Sequence, residues 1–158
     1  MIVATARVLK NVIELKVGDE PWLARPVQAE QAGVGHRIAA LFSTEFHIYR
    51  SSAPDTVEAT VTYRAKADEI RIQVGDESWR THAPTFGPTT IEYGGSRYTI
   101  IERITGKFAI ADGAAPIAVG QMGFRTCSIG EYPPELGQFL GFLSVGFLIR
   151  HLTWQMLG

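Results

Sequence analysis

Four histidines, one cysteine and scattered carboxylates are the side chains here that acid–base, nucleophilic or metal chemistry would draw on. Their spacing assembles none of those reactions. His36, His47, His82 and His151 stand far apart, with no His-x-x-x-His or Glu-x-x-His pair to set two ligands on one helix face. His47 lies between Phe46 and Ile48, so alternation turns it to the wet face of a strand. His151 follows Arg150 near a helix end, where a cation meets the helix dipole favourably. Cys127, in Arg125-Thr126-Cys127-Ser128-Ile129, would be reactive if exposed with Arg125 lowering its pKa. A lone strand cysteine is more often a small core residue, and that is the reading preferred. No Gly-x-Ser-x-Gly elbow or phosphate loop occurs, and Gly33-Val34-Gly35-His36 is too brief for a nucleotide loop. Asp68-Glu69 and Asp76-Glu77 fall at strand ends or turns, where carboxylates are ordinarily solvated, whereas acid–base catalysis needs one carboxyl with a raised pKa in a cleft. No catalytic residue, metal ligand or cofactor is assigned, and the expectation is a protein that is not an enzyme.

The basic residues offer one binding possibility. Arg97 and Arg103 share parity on one expected strand, and Lys107 follows the next turn. Together they would make a small cationic face for an anionic lipid head group or phosphate. Glu102 lies between them and Asp112 closes the hairpin, so the competing reading is a solvated face of mixed charge.

The elements that must position these groups are mostly strands. Ile13, Leu15 and Val17 alternate with Glu14 and Lys16; Val57, Ala59, Val61 and Tyr63 alternate with Glu58, Thr60, Thr62 and Arg64; Ile70, Ile72 and Val74 alternate with Glu69, Arg71 and Gln73. Each is the period-2 pattern of a sheet with one wet and one buried face. Further short strands are expected near 2–9, 22–28, 37–42, 45–50, 79–82, 89–93, 97–103, 107–111, 116–121 and 124–129. Gly18-Asp19, Gly75-Asp76, Gly94-Gly95, Thr105-Gly106 and Asp112-Gly113 supply turns between them. Strands at this spacing suggest a sandwich or barrel. The run Ile13–Trp22 recurs as Ile70–Trp79, with Val-Gly-Asp-Glu and the tryptophan identical in both. A duplicated acidic loop for a cation would be short of oxygen ligands for calcium. A recurring hairpin, with the tryptophan packed across the strands, is preferred, and it fits a barrel assembled from two similar halves.

The chain then changes character. Pro133-Pro134-Glu135 opens a helix, with proline in the first turn and a carboxylate near the positive end of the dipole. From Leu136 to Ile149 no charge occurs and apolar residues cover every side. Such a helix is buried, in a bilayer or inside a protein. A span wants about 20 apolar residues, and Arg150 and His151 close this run first. Gly137, Gly141 and Ser144 make a small-residue stripe of the kind seen in transmembrane dimers, which equally lets strands cross close to the helix. The core-helix reading is preferred to a tail anchor, so no transmembrane span is expected.

Composition agrees with one soluble globular domain over 1–158. Of 158 residues, 46% are hydrophobic and 20% charged, and the net charge of −1 gives no general field to attract nucleic acid. The N-terminus lacks the basic start and long apolar core of a signal peptide, and one cysteine forms no internal disulfide, so a cytoplasmic location is the default. The fold expected is mostly β: a closed antiparallel β-barrel of about 12 strands, its interior filled by the apolar C-terminal helix, 133–157.

Arg97-Tyr98-Thr99-Ile100-Ile101-Glu102-Arg103, then Gly106-Lys107-Phe108-Ala109-Ile110-Ala111-Asp112-Gly113 and Ile117-Ala118-Val119-Gly120, resemble hairpins of the tubby-like superfamily. That group comprises tubby C-terminal domains, phospholipid scramblases and the plant LURP-one-related proteins. The likeness covers roughly 97–157 and, more loosely, 36–74 through Phe46-His47-Ile48-Tyr49-Arg50. It implies about twelve strands wrapped around a central C-terminal helix and a lipid-linked binding role. Tubby domains bind phosphoinositides through basic side chains, but those positions do not match here residue by residue. The scramblase features are missing: no cysteine-rich stretch, no proline-rich N-terminus and no calcium loop. The repeated Val-Gly-Asp-Glu-x-Trp is no part of the family pattern. The functional expectation is a non-enzymatic binding module for an anionic membrane surface or a protein partner. The alternative is a small barrel carrier or enzyme for an apolar ligand, with the helix outside as a lid.

Overall fold

Period-2 alternation becomes, in the computed structural model, a sheet that closes on itself. The structure describes residues 1–27 and 43–157; the strand expected at 37–42, His36 and the Gly33–His36 run lie outside them. Twelve strands follow in chain order: β1 (Ile2–Arg7), β2 (Val12–Val17), β3 (Glu20–Pro26), β4 (Ser43–Arg50), β5 (Val57–Arg64), β6 (Glu69–Val74), β7 (Glu77–His82), β8 (Thr89–Tyr93), β9 (Ser96–Glu102), β10 (Lys107–Asp112), β11 (Ala115–Met122) and β12 (Thr126–Ile129). Each pairs antiparallel with its neighbours in sequence, and β1 pairs with β12 to complete the ring, Ile2 opposite Ile129 and Ala4 opposite Cys127. Closure leaves no free edge among the described strands.

The inward positions are the apolar ones the alternation marked. Ile13 and Leu15 of β2, Ala59, Val61 and Tyr63 of β5, and Ile70 and Ile72 of β6 are buried, while their polar neighbours face out. Cys127 is fully buried among them, and burial pushes its thiol up to about 12. A single turn of 3-10 helix at Pro134–Leu136 then leads into α1 (Gly137–Leu157), which runs through the barrel. Leu140, Phe142, Leu143, Val145 and Leu148 are wholly buried. Pro134–Gln155 is long and apolar enough to cross a membrane, yet its apolar surface is taken up inside the barrel. A lid outside an open barrel is not what the chain forms.

Small residues set how closely helix and wall approach. A Cβ on Gly141 would lie 2.7 Å from Val17, and one on Gly146 would lie 2.5 Å from Ile70. The Gly137–Gly141–Ser144 stripe thus serves strand-to-helix contact. The buried Ser144 hydroxyl donates to the Gly141 carbonyl at 2.6 Å, staying satisfied without a partner from the wall.

The two copies of Val-Gly-Asp-Glu-x-Trp are the β2–β3 and β6–β7 hairpins. Gly18 and Gly75 have φ near +60° and each aspartate follows without a positive φ, the pattern of a type II′ turn. Both tryptophans point inward onto α1: Trp22 meets Phe142 edge-on at 5.4 Å and Trp79 meets Phe139 at 5.5 Å. The hairpins stand four strands apart in a ring of twelve, so they mark thirds of the barrel rather than the halves expected from the repeat. The third equivalent is β10–β11, where Gly113 repeats the turn and Ile117 packs against the core at the tryptophan's place.

Candidate functional site

An up-and-down ring sends alternate turns to opposite ends, and here the two ends differ in charge. At the end where α1 enters, the connections carry Asp19, Asp55, Asp76, Glu131 and Glu135 and no lysine or arginine. At the end where α1 leaves, the described connections carry Lys10, Lys66, Arg103 and Arg125, with Asp68 the one carboxylate. Net charge near neutrality conceals this polarity, because the two ends nearly cancel.

Asp68 is not free to offset the cations around it. Arg150, on the exiting turn of α1, reaches it at 2.9 and 3.3 Å and also binds Glu102 at 2.5 Å. The Tyr63 hydroxyl donates to the same Asp68 carboxylate at 2.7 Å. Burial pushes the Asp68 carboxyl up, but the hydrogen bonds from Arg150 and Tyr63 and the charge of Arg150 outweigh it, holding Asp68 below its ordinary value. Burial and the bond to Asp68 raise the Tyr63 phenol, keeping it a neutral donor. Arg150, whose tendency to lose its proton on burial is overcome by Asp68 and Glu102, stays charged. Asp68 sits at φ +47°, a left-handed conformation aspartate tolerates better than most residues. The Arg150 network therefore ties the helix exit to β9 and to the β5–β6 turn.

Beside it lies a cleft of about 340 Å³, lined by Arg103, Lys107, Phe108, Met122, His151 and Trp154 among others. Arg103 and Lys107, expected together from sequence, do meet here, and their backbones pair across the β9–β10 turn, Arg103 N–H to Lys107 C=O at 2.9 Å. Arg97 does not join them. It stands at the other end of β9, about 20 Å away at the rise of a strand, paired across the hairpin with Glu92 at 2.8 Å. A single Arg97–Arg103–Lys107 face is therefore not formed. The cations that accompany Arg103 and Lys107 at their end are Lys10, Lys66 and Arg125, which sequence reasoning did not single out. The signal was present: once strands are read as a meander, every second turn shares an end and its charges can be summed.

The other candidate groups stay apart. His47 faces outward beside Tyr49, His82 is exposed at the end of β7, and His151 lies 3.1 Å from the side chain of Gln155. Among the described residues no three histidine, cysteine or carboxylate side chains come together as a metal site. A second cleft, at the acidic end, is lined by Trp22, Arg50, Tyr132 and Gln138. There Arg50 is engaged by Glu20 and Glu58 and covers the Trp22 ring at 4.4 Å. No family model, curated protein or solved structure matches this chain.

Proposed function

We propose that this chain is a non-enzymatic, tubby-like binding module that attaches to anionic membrane surfaces through the basic end of its barrel. The observation that carries the reading is the charge polarity of the turns, Lys10, Lys66, Arg103 and Arg125 against Asp19, Asp55, Asp76, Glu131 and Glu135. With a net charge of −1 the molecule gains nothing from attraction as a whole. It gains from orientation: near a negative leaflet the basic end turns toward the lipid and the acidic end toward bulk water. A lysine or arginine near such a surface contributes about 1 kcal/mol, fading within a Debye length. Four of them give roughly 4 kcal/mol at low salt, enough for reversible attachment and too little for permanent anchoring. The cytoplasmic leaflet is the anionic one, so the reading carries a cytoplasmic location with it. The twelve-strand ring about a central helix is the architecture the tubby-like resemblance implies, which favours that lineage. The filled interior disfavours a carrier, since Phe142, Leu143 and Leu148 occupy the space a ligand would need.

The test is co-sedimentation of the full-length protein with phosphatidylcholine vesicles, with and without phosphatidylserine, at low and high salt. Binding to the anionic vesicles that weakens as salt rises is the expected result. Lys66→Glu should weaken it by about tenfold or more, since reversing one charge changes the attraction by about 2 kcal/mol. Absence of binding to either composition at low salt would overturn the reading.

A further inference from the structure

The same end of the barrel carries a second feature that charge alone does not require. Its turns expose large apolar side chains at their tips: Leu9 (103% exposed) between β1 and β2, Phe86 (91%) between β7 and β8, Ile104 (108%) between β9 and β10, and Phe124 (70%) between β11 and β12. Trp154, on the last turns of α1, is about half exposed at the same end, and Val27, just past β3, is partly exposed there too. At the acidic end the comparable residues among those described are Met1, Val57 and Val119, the last bonded to Gly130. Single exposed apolar residues are ordinary on a soluble protein. Their concentration at one end, on turns that follow one another around the ring, is not.

We infer that this end penetrates the bilayer, burying Leu9, Phe86, Ile104, Phe124 and the Trp154 ring at the boundary of head groups and acyl chains, with the barrel axis steep to the membrane. The inference rests on the membrane reading above and specifies its contact surface and depth. Three observations favour a lipid surface over a shaped partner. First, cations adjoin the tips in sequence, as Leu9-Lys10, Arg103-Ile104 and Phe124-Arg125. This pairing puts charge at the phosphate level when the apolar tip lies just below it. Arg125 even sits over the Phe124 ring, 5.1 Å from its centroid, covering one face while the rest stays bare. Second, the apolar groups project from four separate turns around the ring, only Ile104 and Trp154 of those named lining one cleft. A fluid bilayer accommodates separated points, whereas a protein interface needs a contiguous, complementary core. Third, tryptophan prefers the interfacial level, and the half-exposed Trp154 can offer its ring there while its side chain keeps its hydrogen bonding to the Asp68–Tyr63 network. An amphipathic surface buried about 5–10 Å into that layer needs no spanning element.

The arrangement of the tryptophans supplies a probe. Trp22 and Trp79 lie against Phe142 and Phe139 near the acidic end, and Trp154 is at least twelve residues further along α1, about 18 Å or more at helical rise. With phosphatidylcholine–phosphatidylserine vesicles carrying bromines high on the acyl chains, Trp154 fluorescence should be quenched on binding. The quenching should vanish in Trp154→Phe, which keeps Trp22 and Trp79. Ile104→Ser with Phe124→Ser, both exposed and expected to leave the melting temperature unchanged, should lower partitioning by about tenfold and remove the fraction that survives high salt. Binding without Trp154 quenching, with the serine variant indistinguishable from wild type, would overturn penetration while leaving electrostatic attachment standing. No binding to any vesicle would overturn both.

Discussion

Replacing Phe142 by alanine should cost this barrel about 4–5 kcal/mol, near the top of the range for such truncations. Phe142 is wholly buried in the second turn of α1, with Trp22 edge-on at 5.4 Å. Loss of a core phenylalanine ordinarily costs about 3–5 kcal/mol, the spread depending on how far the surroundings collapse into the void. Here collapse is resisted on all sides. The wall is a ring in which each strand is hydrogen-bonded to two neighbours, so it cannot contract without breaking a ladder. The aromatic contact with Trp22 adds about 0.5–1.5 kcal/mol beyond area burial. Against a total stability of about 5–15 kcal/mol, such a loss leaves the alanine variant marginal. Phe142→Asp, which puts an unpaired charge in the same place, should not fold at all. The assay is urea unfolding followed by fluorescence, with the shift in midpoint read at constant slope. A loss below about 2 kcal/mol, the low edge for large-to-small core changes, would show that the ring relaxes around the helix and that the rigid-wall reasoning is wrong.

Three further outcomes follow from particular contacts. Gly120 lies under the Phe108 ring, where a Cβ would come 2.1 Å from Cζ, so Gly120→Val should displace Phe108 from Phe147 and cost about 1–3 kcal/mol in thermal or urea unfolding. The Asp68 carboxyl is held below its unfolded value, so its contribution is present at neutral pH and lost as pH falls below the usual carboxylate range through its folded pKa. Wild type should therefore lose stability on acidification more steeply than Asp68→Asn, in melts across pH 3–7 (roughly the window of carboxylate titration); parallel curves would remove Asp68 from the acid response. Cys127 should resist a thiol reagent in the native protein and react at the rate of global unfolding, since its thiol is both enclosed and pushed up to about 12.

The parts of this fold that were legible in the sequence are those in which one residue's environment is set by its neighbours in the chain. Ile70, Ile72 and Val74 announce an inward face by alternation, Gly75-Asp76 announces the turn, and the all-round apolarity of 136–149 announces burial. Pairings across the barrel were not legible. Asp68 looked like a solvated turn carboxylate because its partner, Arg150, lies 82 residues away and on a different kind of element. Arg97 and Arg103 looked like one face because parity fixes the side of a strand and says nothing about distance along it. The repeat of Val-Gly-Asp-Glu-x-Trp was visible, but its period of four strands became a third of the ring only when the ring size was known. The basic end was less legible: of its turns the sequence marked Thr105-Gly106, while Leu9, Phe124 and Arg125 were expected inside strands, and the common location of these turns is a property of the meander.

The seam between β1 and β12 sets an order of events for the chain as it is made. β1 is synthesised first, yet its partner on one side is β12, with Ala4 waiting for Cys127, and the helix that fills the interior follows β12. No arc of strands short of the full ring has a closed edge or a filled interior. Until the end of α1 has emerged, the inward faces of all twelve strands, Ile13 and Val61 and Ile110 among them, have nothing permanent to pack against. Folding dominated by such distant pairings is slow, on the order of milliseconds to seconds. A nascent chain of this design is therefore committed to a long interval of exposed apolar strands, and its dependence on chaperones should be concentrated before residue 157 leaves the ribosome.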